Sequence, residues 1–249
     1  YCEMIRQWST FHPEFSFLPR KFKIAVTAAP HDRAAVKVHD IGLILYKNEE
    51  GETGFEVIVG GGLGRTPYVG HTIRKFLPKK HLLSYLEAIL RVYNLEGRRD
   101  NMYKARIKIL VNSEGAEKFA EAVEAEWAQI KDSGIDLPRE EMARIDAYFA
   151  PPVFEKLSDE SAVLEEKKAS DKNFARWLRL NTFAHKAPGY AIVNISLKPI
   201  GGVPGDISDV QMEAVADIAE EYSLDEIRAT HEQNLVLPHV KKDDLYAVY

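Results

Sequence analysis

The spacing of apolar positions changes period several times along the chain, and each change marks an element. Short apolar runs bounded by turn residues predict strands in KFKIAVTAA (21–29), DIGLILY (40–46) and FEVIVGGG (55–62), the last two joined across the polar turn NEEGETG into a hairpin. The segment MIRQWSTF ahead of them is short and amphipathic, and Pro13 and Pro19 bracket a predicted loop. From Pro78 onward the period becomes helical. Leu82, Leu83, Leu86, Ile89, Leu90 and Tyr93 share a stripe that ends before Gly97, and Phe119, Val123, Trp127 and Ile130 form a second stripe that ends before Gly134. Between them, NMYKARIKILV leads a basic run into an apolar one and is read as a strand, which would put Lys104, Arg106 and Lys108 on one face.

Periodicity lapses and charge accumulates from Pro151 to about Lys172, which predicts a connection and a division into domains of 1–170 and 171–249. Beyond it come a strand in GYAIVNISLKPI, a turn in GGVPGD and a helix running to Tyr222, opened by the capping-box pair Ser208 and Gln211. Two short strands in EIRATHEQNLVL and the first turns of a helix in KKDDLYAVY follow. Strand, helix, strand, strand and a short helix make up most of a ferredoxin-like half-domain, so the fold class is α+β, a mixed sheet-and-helix domain followed by that half.

Composition narrows the function. With 249 residues, 45% hydrophobic and 29% charged, and no apolar run long enough to cross a bilayer, the chain reads as a folded protein without a membrane role. The net charge of -5 argues against general nucleic-acid binding, and a single cysteine, Cys2, fits a reducing compartment, with the cytoplasm as the expected location.

Candidate chemistry lies in glycines, histidines and cations. Gly60, Gly61, Gly62 and Gly64 follow a strand as a phosphate loop would, but GGGLGRTP matches neither nucleotide fingerprint; what remains is close backbone approach to a flat group, or a tight turn. His31-Asp32 and His39-Asp40 suit a turn better than a metal site. Lys21 and Lys23 are two apart, so a strand would set both ammonium groups on one face, where they repel unless water screens them or an anion sits between them. Arg98, Arg99, Lys104, Arg106 and Lys108 add a second basic group, and together the two suit a ligand with several carboxylates, with a solvated basic surface as the alternative.

FLPRKFKIAV, HDRAAVKVHDIGL, VIVGGGLGRTP, RRDNMYKARIKILV and RATHEQNLVLPHV together resemble, in order and spacing, the siroheme-dependent sulfite and nitrite reductases. The resemblance implies that Lys21 and Lys23 hold an oxyanion on siroheme iron and supply protons. It implies further that Gly60, Gly61 and Gly62 let backbone lie against the macrocycle, and that Arg20, Arg98, Arg99, Asn101, Lys104, Arg106 and Lys108 contact its carboxylates. Arg228, Thr230, Gln233 and Asn234 would come from the second of two related half-domains, the earlier copy and its substrate-binding arginine being absent. The implied activity is the six-electron reduction of sulfite to sulfide or nitrite to ammonia, fed by a ferredoxin or flavoprotein through a four-iron, four-sulfur cluster. That cluster takes two close-spaced cysteine pairs found beyond the QNL element in the family, whereas this sequence stops at Tyr249. The expectation is therefore an internal piece of a reductase with no metal ligands of its own, inactive alone; a non-redox tetrapyrrole- or anion-binding module is the alternative, and a piece that binds nothing a third.

Overall fold

The structure is a computed structural model that describes residues 1–135 and 138–249. The fold is α+β, and the chain forms two compact units, Tyr1–Ala150 and Pro151–Tyr249.

The first unit opens with α1 (Cys2–Ser9) and a single-turn α2 (Pro13–Ser16). The helix α2 occupies the predicted loop because Pro13 sits at its first position, where a missing N–H costs nothing, and the His12 ring accepts the Glu14 N–H. Strands β1 (Ile24–Thr27), β2 (Ile41–Lys47), β3 (Thr53–Val59) and β4 (His71–Pro78) form one sheet in that order, with β1 parallel to β2 and the other neighbours antiparallel. The register sets Ile41 opposite Val59, Leu43 opposite Val57 and Leu45 opposite Phe55. One face of the sheet therefore meets the buried stripe of α3 (Leu82–Glu96), backed by α4 (Ile107–Glu114) and α5 (Ala116–Ile130). The opposite face packs Ala25 and Ile58 against Val36, in a turn of 3-10 helix at Val36–Val38. That turn lies flat on the sheet only because Gly42 and Gly61 lack side chains: a Cβ would meet the Val36 carbonyl oxygen at 2.4 Å or the Lys37 carbonyl oxygen at 2.3 Å. The helix α6 (Arg139–Tyr148) ends the unit.

Two expectations are corrected here. The strand expected over 21–29 shrinks to Ile24–Thr27, since the Lys23 N–H goes to the Asp40 carboxylate (3.0 Å), so Lys21 and Lys23 precede the strand. KARIKILV is not a strand. Met102–Lys104 is a 3-10 turn capped by the Asn101 side chain and α4 begins at Ile107, so Lys104, Arg106 and Lys108 do not share a strand face. The hydrophobic positions Ile107, Leu110 and Val111 are buried at helical spacing.

The second unit contains α7 (Ala162–Ser170) and α8 (Lys172–Asn181), the first lying within the stretch predicted as a connection. Ser161 and Asp171 cap them, each accepting backbone N–H groups. Strands β5 (Thr182–Ala184) and β6 (Tyr190–Ile195), helix α9 (Asp209–Tyr222), strands β7 (Arg228–Ala229) and β8 (Leu235–Lys241), and α10 (Leu245–Val248) complete it. The sheet order is β5-β6-β8-β7, antiparallel throughout, over a core of Phe174, Leu178, Val193, Leu237 and Val240. The predicted capping box at Ser208 and Gln211 is formed in both directions.

Candidate functional site

In the first unit, Arg20, Lys21, Arg65, Arg106 and Lys108 line one cavity of ≈ 320 Å³, together with Tyr103, Thr66 and Ile109 and, among the described residues, without a carboxylate in its wall. Each cation is held differently. Arg20 donates from Nη1 to the Met102 carbonyl oxygen (2.7 Å) and lies over the Tyr103 ring. Arg106 donates through Nε (3.1 Å) and Nη2 (2.8 Å) to Oδ1 of Asp40, a carboxylate with no exposed surface. Burial raises the Asp40 pKa, and Arg106 and the Lys23 amide oppose the rise. The turn carrying Arg106 is itself pinned by the Tyr93 hydroxyl, which donates to the Ala105 carbonyl oxygen (2.8 Å); burial and the nearby Asp40 charge push that phenol up to about 12.

Lys108 is the buried cation of the group. Its ammonium donates to the carbonyl oxygens of Leu63 (3.1 Å) and Thr66 (2.5 Å) and faces the Tyr68 ring, so one of its three protons remains for another acceptor. Burial first, and the Arg106 charge second, lower its pKa. Gly62 makes the approach of these two cations possible, because a Cβ there would meet Lys108 Cδ at 2.8 Å and Arg106 Nη2 at 3.1 Å.

Gly64 of the glycine run also lines this cavity, and the other residues singled out in the sequence do not join it. Lys23 and Lys104 are exposed and outside its wall. Arg98 pairs with Asp100, Arg99 donates to the Phe17 and Asn94 carbonyl oxygens, and Asn101 caps the 3-10 turn. Gly60 and Gly61 are buried against Val111 and Lys37 of the same chain, a cause for glycine that needs no macrocycle. Asp32 accepts the N–H groups of Ala34 and Val36, the turn role expected for it, and His39 bonds to the Ala35 carbonyl oxygen. Sequence reasoning missed Arg65, Tyr103 and the role of Asp40. The available signal for Asp40 was an acid placed at the mouth of an apolar strand, HDIGL, with no cation beside it.

In the second unit, the loop between β7 and β8 is built on Thr230 and Lys198. The Thr230 hydroxyl accepts from Glu232 N–H (3.3 Å) and Asn234 N–H (3.1 Å). Buried Asn234 accepts through Oδ1 from Leu197 N–H (3.3 Å) and Lys198 Nζ (2.5 Å), and Lys198 also donates to the Glu232 carbonyl oxygen (2.7 Å). Gln233 stands at φ 59, and Arg228 pairs with Glu226 at 2.5 Å.

Comparison with known proteins decides the family. Residues 1–131 match the nitrite and sulphite reductase 4Fe-4S domain, and residues 195–249 match the nitrite/sulfite reductase ferredoxin-like half domain. The chain belongs to the nitrite and sulphite reductase family. Over 233 residues, 94% of this chain and 35% of the relative, it is 30% identical to sulfite reductase (ferredoxin) 2 of Mycolicibacterium paratuberculosis. Over 116 residues it is 40% identical to sulfite reductase (ferredoxin) of Synechococcus elongatus, covering 44% of this chain and 19% of the relative. A solved structure of the Mycobacterium tuberculosis NirA protein superposes with a TM-score of 0.68 at 26% identity, over 99% of this chain and 38% of that one. The chain thus spans between 19% and 38% of the length of these relatives.

The family implies siroheme and an iron-sulfur cluster, and the donor sets differ in how they fit. Five cations on one cavity suit the carboxylates of a tetrapyrrole or a small oxyanion. A four-iron cluster needs about four thiolates, and the only cysteine in the sequence is the exposed Cys2, so this chain does not supply the cluster's ligands. Among the described residues, no helix is long and apolar enough to cross a membrane.

Proposed function

We propose that this chain is the siroheme-holding part of a sulfite reductase, with nitrite as the other oxyanion the same cations would accept. The reading is carried by one observation: five cations converge on a cavity whose wall, among the described residues, contains no carboxylate. A solvated basic face would leave its cations apart and screened, whereas here Arg106 and Lys108 are drawn in and held by buried or backbone acceptors. The relatives named sulfite reductase favour sulfite, and their ferredoxin and NADPH types make a ferredoxin or a flavoprotein the donor to test.

In this proposal siroheme, when bound, would supply redox and Lewis-acid chemistry for the oxyanion. Arg20, Arg106 and Lys108 would hold carboxylates of the macrocycle, Arg106 through the guanidinium edge left free by Asp40. Lys21 and Lys23, both exposed, would neutralise the oxyanion and serve as proton donors to it. Lys108, with its lowered pKa, is a further ammonium from which a proton leaves more readily than from a surface lysine. Arg228, Thr230, Gln233 and Asn234 form the corresponding element of the second unit, its loop shaped by Lys198. Alone, the 249-residue chain binds anions and does not reduce them, and it works in the cytoplasm.

The test is made on the full-length parent reductase. Lys21→Ala and Lys23→Ala are expected to lower dye-linked sulfite turnover while siroheme absorbance per protein stays at the wild-type level. Unchanged turnover on both sulfite and nitrite would sink the reading, and a parent that binds siroheme but reduces neither oxyanion would point to a non-redox binding module.

A further inference from the structure

Behind the wall of the first unit's cavity lies a buried acid, Asp40, whose polar contacts go to the segments that frame the cavity. Through its side chain Asp40 holds the Arg106 guanidinium by two N–H groups and the backbone N–H of Lys23 by one. Through its backbone it reaches further: its carbonyl oxygen accepts the Gly60 N–H at 3.1 Å, and the next amide, Ile41 N–H, donates to the Lys23 carbonyl oxygen at 3.1 Å. Three separate stretches, the Lys21–Lys23 segment, the glycine run and the turn into α4, are therefore tied at one residue.

We infer that Asp40 is a positioning residue for the basic cavity, setting the Arg106 fork and the Lys21 backbone in the single arrangement that a small oxyanion or a carboxylate group meets. The inference rests on the anion reading of the cavity given above. Coulomb attraction alone would not place an acid there, because a carboxylate beside an anion site repels the ligand and cancels the charge of one cation. Nor does stability explain it well, since burying a charge pair returns little net free energy compared with an apolar substitute. What the pair does supply is geometry. Two N–H bonds to one oxygen fix the plane of the guanidinium, and the second oxygen fixes the peptide two residues beyond Lys21.

The two views predict opposite signs. If Asp40 acts on the cavity only as a charge, Asp40→Asn tightens anion binding; if it positions the cations, the same change weakens binding although the cavity becomes more positive. The measurement is a titration of the isotopically labelled 249-residue chain with sodium sulfate at constant ionic strength, followed by the backbone amide signals of Lys21, Lys23 and Arg106. Asp40→Asn is expected to raise the sulfate Kd by roughly fivefold or more. Arg106→Lys, which keeps the charge and loses the fork, is expected to raise it similarly and carries the comparison should Asp40→Asn not fold. Equal or tighter binding by a folded variant overturns the positioning role alone. Absence of a saturable response in the wild-type chain overturns the anion reading itself.

Discussion

His185 Nε2 lies 3.1 Å from Nδ1 of His239, and the surrounding bonds decide which nitrogen carries each proton. The Ala187 N–H donates to His185 Nδ1 (2.8 Å), so His185 is protonated at Nε2 and donates to His239, which in turn donates from Nε2 to Glu226 (3.1 Å). A further proton on His239 Nδ1 would oppose the His185 N–H. Burial is the main cause of the lowered His239 pKa, with Glu226 opposing. The unfolded state then binds more protons than the folded one below the ordinary histidine value of 6.5, so stability of the second unit falls as pH falls through that value. Glu226, lowered by Arg228, contributes stability that is lost only in more acid solution, below the usual carboxylate range. Melting temperature measured from pH 7.5 to 5 is expected to drop, and His239→Gln is expected to flatten that slope; an unchanged slope in the variant refutes the assignment.

Lys108→Met removes the charged donor that joins Leu63 and Thr66 to α4. Two such bonds are worth a few kcal/mol at most after solvent is counted, and the methionine regains some burial, so a loss of about 2–3 kcal/mol in urea unfolding is expected. Amide exchange across residues 63–66 should accelerate in the variant, which a loss spread over the whole unit would not produce.

Gln233 occupies the left-handed region at φ 59, where a side chain costs about 1 kcal/mol or more. Gln233→Gly is expected to leave the second unit as stable or more stable by up to about 1 kcal/mol, and Gln233→Val to destabilise it. If the glycine variant of the full-length reductase is stable and yet loses siroheme, the side chain is retained for binding at the expense of backbone strain.

Gly61→Ala drives a methyl group into the Lys37 carbonyl oxygen, 2.3 Å from the Cβ position, in a turn pressed onto the sheet. A loss of about 2–4 kcal/mol is expected from chemical unfolding. Gly51→Ala, at φ +79 on an open hairpin turn with nothing near, is expected to cost only about 1 kcal/mol. Similar costs at the two sites would mean that the Val36–Val38 turn yields.

The elements legible in the sequence are those whose period comes from their own buried face: α3, α5, the β2-β3 hairpin and the capped α9. β4 went unseen because it is an edge strand, with exposed His71, Thr72 and Lys75 interrupting the alternation that Leu77 alone marks as buried. α4 was misread because its basic lead-in ends at a helix start, and β-branched Ile107, Ile109 and Val111 suit a strand on propensity. The cavity was legible as a list of cations but not as a set. Arg98 and Arg99 lie near Arg106 in sequence and are drawn off by Asp100 and by the Phe17 and Asn94 carbonyl oxygens, whereas Arg65 arrives from a loop that local pattern could not place.

The Asp40–Arg106 bond spans 66 residues of chain and closes over β2, β3, β4 and α3 before either partner can find the other. Closing so long a segment costs entropy that only the finished sheet-and-helix core repays, so the guanidinium is captured late in the folding reaction. A nascent or partly unfolded chain therefore carries its cations scattered and mutually repelling, without the pocket they form together. Any ligand that depends on that pocket meets it only in chains that have completed folding, and so acts as a selector of them.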